Sequence, residues 1–320
     1  MDIDDLITRI RKGDVRAISR TISLIENNAP SFESLLEKLF PYTGSAYRIG
    51  ITGPPGAGKS TITARLTEMF RRQNQTVGVI AVDPTSPFTG GALLGDRIRM
   101  VQFSSDPGVF VRSMASRGSA GGLSTKAQEV ADVLDAAGKN VILLETVGVG
   151  QTELEIAHAA DTTVVILVPE SGDAVQMMKA GLMEIADIFA INKTDRPGAE
   201  ALSTELQQML TRRYDAQHAW QPPVILTVAT TGEGIPELLE SIRSHKKTME
   251  EKNLFRLRRE KRFQRRVKEL VNIYLNRSFW TPERKALLEQ KVIEISSNHT
   301  SPYELARKLL EDFTEASGNP

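Results

Sequence analysis

The sequence predicts an α/β protein in which a mostly parallel sheet is sandwiched by helices, with helical extensions at both ends. Three observations predict it. Short β-branched runs alternate with helical stretches between Tyr47 and about Arg243. The first run leads into a glycine-rich turn and then a helical pattern. The flanks, residues 1–45 and 244–320, lack such runs and carry apolar residues spaced by three and four. With 320 residues and 40% hydrophobic content, the chain can bury one dominant core.

In order, Leu6, Ile10, Val15, Ile18, Ile22, Leu24 and Ile25, then Leu35, Leu36 and Leu39, mark a helical preface over residues 1–45. The expected strands are Ile49-Thr52, Val77-Val82, Val109-Val111, Val141-Leu144, Thr162-Val168, Ile188-Ile191 and Val224-Val228. Ligands of such sheets sit at the carboxyl ends of the strands. After Arg243 charge takes over, and Phe263, Val267, Leu270, Val271 and Tyr274 leave an amphipathic stripe. Pro282 opens a further helical stretch to about Glu315. The expected division is therefore 1–45, 46–243 and 244–320.

Lys plus Arg and Asp plus Glu both number 40, so no global field draws in nucleic acid or an anionic membrane. There is no cysteine, which excludes disulfides, thiolate metal sites and cysteine nucleophiles together. The acidic start Met1-Asp2-Ile3-Asp4-Asp5 has no secretory pattern, and no apolar run nears the ~20 residues of a membrane span. A soluble cytoplasmic protein is expected.

Gly53-Pro54-Pro55-Gly56-Ala57-Gly58-Lys59-Ser60 fits G-x-x-x-x-G-K-S/T between an expected strand and the helical Thr61-Arg72, the context of a P-loop NTPase. Glycines let successive N–H groups face the phosphates, and the helix adds its positive end. Lys59 would bridge the β- and γ-phosphates while Ser60 ligates magnesium. Magnesium takes oxygen ligands, so strand-end acids are its candidates: Asp83, Asp96 and, best placed at the end of an apolar strand, Glu145. Glu145-Thr146-Val147-Gly148 resembles the D-x-x-G element whose glycine N–H senses the γ-phosphate, with Glu in place of Asp.

Asn192-Lys193-Thr194-Asp195 follows an expected strand and matches N-K-x-D. Asp195 can accept from N1–H and the exocyclic amine of guanine, a donor pair that adenine lacks. A buried carboxylate denied those donors is costly, so the contact is selective. Asn192 would tie base to phosphate loop, and Lys193 would lay its stem on the ring. Val228-Ala229 would complete the base site, with the Ala229 N–H offered to the guanine oxygen, although a Ser usually stands where Val228 is.

These motifs together resemble the MeaB/ArgK-type GTPases of the SIMIBI class. The matching stretches are Gly50 to Ser60, Val82-Asp83-Pro84-Thr85-Ser86-Pro87, Gly90 to Arg97, Glu145 to Gln151, Asn192 to Asp195 and, in the preface, Ala17 to Glu26. The resemblance implies a homodimer that binds GTP or GDP with Mg2+, hydrolyses GTP, and gates cofactor loading and protection of an adenosylcobalamin-dependent acyl-CoA mutase. It assigns phosphate and metal contacts to Lys59, Ser60, Asp83, Asp96 and Glu145, and dimerisation to the C-terminal arm. It also makes Glu170 to Lys179, with Gln176 and Lys179, a candidate switch, where the residues alone read as an ordinary strand-to-helix loop. Two alternatives remain at this point: a P-loop metabolite kinase, which has no need of guanine selection, and a nucleotide-dependent scaffold that does not hydrolyse.

Overall fold

In a computed structural model of the chain, the described residues are 2–84, 101–103, 105–116, 122–146, 152–170, 181–214, 218–298 and 301–317. They form two compact units, residues 1–259 and 260–320.

The first unit is built on seven strands: β1 (Tyr47–Thr52), β2 (Val77–Pro84), β3 (Val109–Ser116), β4 (Val141–Glu145), β5 (Thr162–Leu167), β6 (Ile188–Asn192) and β7 (Val224–Thr227). All pair in parallel, in the order β3-β2-β4-β1-β5-β6-β7. Order reverses at β1, so the loop leaving it opens at the topological switch point. Every residue of β1, β4, β5 and β6 is buried, which is why these strands read as continuous apolar runs.

Alternation along the strands divides the core. Ile142 and Leu144 of β4 pack with the N-terminal helices and α5 (Gly122–Ala136), whereas Val141 and Leu143 pack with α4 (Lys59–Arg72) and α9 (Ile235–Glu251). Val165 and Leu167 meet the short α7 (Leu182–Ile185) and α8 (Ala199–Arg213). A helix α6 (Thr152–Ala159) precedes β5, and Ile156 and Ala160 approach β1 where Gly50 has no side chain.

The preface forms α1 (Ile3–Arg11), α2 (Val15–Glu26) and α3 (Phe32–Leu39). The Asp2 and Asp14 carboxylates cap α1 and α2 by accepting from first-turn N–H groups. These helices share one core with α5. Lys126 of α5 also donates to Ile25 O and Glu26 O at 2.9 and 2.8 Å, neutralising the negative end of α2. Residues 1–45 are thus an integral part of the sheet's cover.

The division expected at 243 falls inside α9, whose buried Ile235, Leu238, Leu239, Ile242, His245 and Met249 run past it. The first unit continues into the root of α10 (Leu254–Phe279). There Arg258 grips Asp187 with two bonds of 2.9 Å and donates to Asp161 O at 2.6 Å. Arg259 pairs with the Asp161 carboxylate and donates to Gly44 O and Ala46 O. Asp187 and Asp161 precede β6 and β5, so this anchorage lies at the amino ends of the strands, opposite the motifs.

In the second unit, the helical stretch expected from Pro282 to Glu315 is two helices, α11 (Pro282–Asn298) and α12 (Pro302–Ser317). Pro302 restricts the residue before it, and Ser301 caps the new helix through the Glu304 N–H. Phe279 packs edge-on against Trp280 and Phe313, and Arg284 lies over the Phe279 and Phe313 rings. No residue of α10 is buried; Phe263, Val267, Val271 and Tyr274 are 42–54% exposed.

Candidate nucleotide site

The phosphate loop is shaped by what its glycines permit. Gly53 has φ 136°, and a Cβ there would lie 2.0 Å from Ile166 O of β5. Gly58 has φ 94°, and a Cβ there would lie 2.2 Å from Asn192 Nδ2. Both positions combine left-handed backbone with no room for a side chain. Gly58 leads directly into α4 and makes no side-chain cap bond, so the N-terminal amides of α4 form an anion-binding end beside the loop.

Lys59 is buried and turned back over the loop, donating to Gly53 O at 2.7 Å and Pro54 O at 2.9 Å. Ser60 Oγ donates to Glu145 Oε1 at 2.5 Å. Glu145 is buried at the end of β4 and stands in register with Ile51 of β1, so the central strands bring this carboxylate to the start of α4. Thr146 then locks the two strand ends together, through its N–H to Ile51 O and its hydroxyl to Thr52 Oγ1, each at 3.0 Å.

Asn192, at the end of β6, joins the phosphate loop to the base loop. Its Nδ2 donates to Ala57 O at 2.8 Å, and its Oδ1 accepts from Ala229 N at 3.0 Å and Thr227 Oγ1 at 3.2 Å. The Ala229 N–H expected to face the guanine oxygen is thus directed at Asn192. Val228 is buried and closes a turn by pairing with Glu233. Lys193 adopts φ 62° and is half-buried. Asp195 is exposed, which corrects the expectation of a buried carboxylate. A selective contact at this carboxylate would depend on its being covered by the base itself.

Asp83 lies near the end of β2, its backbone in register with Ala115 of β3. Its side chain, and the candidates Asp96, Gly148, Gln176 and Lys179, lie outside the described residues. Among the described residues no cluster of three or more His, Cys, Asp or Glu side chains could hold a metal alone. The hard oxygens of Ser60 and Glu145 fit a magnesium ion that also takes phosphate and water oxygens.

The family model described as methylmalonyl-CoA mutase-associated GTPase MeaB matches residues 18–284. The chain belongs to the MeaB family. A Pyrococcus abyssi relative is 47% identical over 97% of each chain, and the GTPase ArgK of Escherichia coli K12 is 34% identical over 95% of each. A crystal structure titled LAO/AO transport system kinase is 26% identical, with a TM-score of 0.72 over 98% of this chain and 97% of that one. This MeaB-family chain is a GTPase of the SIMIBI class, on a P-loop NTPase fold.

Sequence reasoning missed one functional-looking residue. Arg65, in the second turn of α4, donates from Nε to Ala229 O at 3.1 Å and from Nη2 to Thr230 O at 2.6 Å. A lone Arg on a helix following a phosphate loop reads as a solvated charge; only the fold brings residues 65 and 229 together.

Proposed function

We propose that this GTPase is a chaperone that uses GTP binding and hydrolysis to gate cofactor loading and protection of an adenosylcobalamin-dependent acyl-CoA mutase, with methylmalonyl-CoA mutase as its client. The observation that carries the reading is the mutase-associated family match across residues 18–284. The site supports the nucleotide half. Gly53 to Thr61 cradle the phosphates, Lys59 exchanges its two carbonyl partners for phosphate oxygens, and Asn192, Lys193, Asp195, Val228 and Ala229 enclose the guanine. Ser60 and Glu145, with Asp83 and Asp96, would hold Mg2+, which neutralises charge developing at the γ-phosphate. Gly148 would sense the γ-phosphate, and Gln176 and Lys179 would belong to the switch that reports nucleotide state to the client.

The protein acts as a cytoplasmic homodimer. The exposed stripe Phe263, Val267, Val271 and Tyr274 supports this, since covering apolar side chains of that size is worth ~1.5–3 kcal/mol each. Among the described residues no helix is long and apolar enough to cross a membrane. A slow intrinsic rate is expected, because none of the described side chains at the site stands as a water-orienting glutamine. The test is reconstitution of purified methylmalonyl-CoA mutase with adenosylcobalamin, with and without this protein and GTP. GTP-dependent cofactor delivery and mutase-stimulated phosphate release are expected. Equal loading in the presence and absence of the protein would end the chaperone reading.

A further inference from the structure

We propose that Arg65 is a positioning residue for guanine recognition, holding the Ala229 carbonyl so that the Ala229 N–H, which donates to Asn192 Oδ1 in this structure, stays aimed where it can be shared with the oxygen at position 6 of the base. This rests on the reading of Val228-Ala229 as the base loop and extends it to a side chain outside every motif.

Arg65 projects from α4, the helix whose first turn carries Lys59 and Ser60. Its guanidinium forks onto two successive carbonyls, Ala229 O and Thr230 O, from different nitrogens. The third nitrogen, Nη1, faces Glu68 Oε2 at 3.3 Å, and Gln102 donates to the other oxygen of Glu68 at 3.3 Å. The guanidinium is therefore held in plane from both sides, on a helix that cannot shift without disturbing the phosphate loop. A planar fork suits this task, because an ammonium on a flexible stem is a point charge and does not hold two carbonyls in a fixed geometry.

The Ala229 residue is consequently pinned at both of its peptide groups. Asn192 Oδ1 accepts from its N–H and Arg65 donates to its C=O. Asn192 is itself fixed to the phosphate loop at Ala57 O. The loop has little else to hold it there: Thr230 and Thr231 are exposed, and the turn closes on itself through Thr231 N and Gly232 N to Val228 O. Without Arg65 the Ala229–Thr230 peptide loses its side-chain hold, and the aim of the Ala229 N–H is left to Asn192 and to the turn bonds at Val228 O. Asp195 hangs from β6 rather than from this loop, so reading of N1–H and the exocyclic amine is independent of Arg65. The two halves of guanine recognition can thus be separated by ligand chemistry.

The experiment measures dissociation constants of full-length protein and Arg65→Ala for GDP, 6-thio-GDP, IDP and ADP, together with the thermal midpoint of each protein without nucleotide. In 6-thio-GDP a weak sulfur acceptor replaces the oxygen, and IDP lacks only the exocyclic amine. Arg65→Ala is expected to weaken GDP about tenfold, the scale of charge-assisted bonds partly open to solvent. The preference for GDP over 6-thio-GDP should collapse toward unity while the preference for GDP over IDP is retained. Arg65→Lys, which keeps the charge but not the fork, should fall between, and it carries the same comparison if Arg65→Ala does not fold. Unchanged GDP affinity, or equal loss for GDP and 6-thio-GDP, would overturn the proposal. A parental protein that binds ADP as well as GDP would instead overturn the base-site reading beneath it.

Discussion

Arg258→Met should destabilise the first unit substantially, although the position lies in a charge-rich run far in sequence from any motif. Asp187 is 12% exposed at its side chain, and it receives both Arg258 bonds at 2.9 Å, the Thr163 N–H at 2.8 Å and His245 Nε2 at 3.3 Å. Breaking a buried pair costs about 3–5 kcal/mol, because a charge is left behind without its partner. The Arg258 side chain is 32% exposed, so solvent screening discounts this to about 2–3 kcal/mol. For a body of this size, each kcal/mol is about 2–4 °C in the melting midpoint, giving a fall of about 4–12 °C. Burial pushes the Asp187 carboxyl up, but the His245 and Arg258 contacts outweigh it and hold the carboxyl below its ordinary value. A carboxyl depressed in this way stabilises the fold above its unfolded value, and that stability is lost as pH falls through the folded value. Removing Arg258 raises the folded value, so the gap between parent and variant should be widest near pH 7 and close on acidification. Calorimetry of both proteins across that range checks this. A loss below about 1 kcal/mol, or a gap that does not change with pH, would refute the account of the anchorage.

Two further outcomes are expected. Because Asp195 is exposed, Asp195→Asn should leave the thermal midpoint without nucleotide nearly unchanged, while weakening GDP by several kcal/mol and admitting xanthine nucleotides, as calorimetric titration would report. Val267→Asp with Val271→Asp should convert the proposed homodimer to monomer in light scattering with the GTP site intact; parental protein that already runs as a monomer would end the dimer proposal.

The sheet was legible because its central strands are covered on both faces. Runs such as Val164, Val165, Ile166 and Leu167 have no solvent side to interrupt them, and each ends where a loop motif begins. The phosphate loop was legible for a related reason: Gly53 and Gly58 stand where no side chain fits, so the residue types follow from the backbone. What was not legible depends on contacts far apart in the chain. Arg65 with Ala229, Arg258 with Asp187 and Lys126 with Ile25 join residues that no periodicity relates. A lone basic residue on a helix gives no sign whether it meets solvent or a carbonyl. Helix limits failed similarly: Arg243 looked like the end of a domain because strand signals stop there, yet α9 continues burying one face to Met249.

The site's own bonds bear on how GTP gains its affinity. Lys59 holds two loop carbonyls, Asn192 holds a loop carbonyl, an amide and a hydroxyl, and Ser60 holds Glu145. Phosphate binding at Lys59, as proposed, would accordingly be an exchange, in which neutral carbonyl acceptors give way to anionic oxygens. The Lys59 bonds are already charge-assisted on the donor side, and anionic oxygens would add the attraction of opposite charges, so the exchange would favour phosphate without new loop order. The bonds made by Asn192 are different in kind, since they join the phosphate loop at Ala57 O to the base loop at Ala229 N and Thr227 Oγ1 and do not involve Lys59. On the proposed assignments, triphosphate charge would act through Lys59, while the base would be read on a frame held by Asn192 and Arg65.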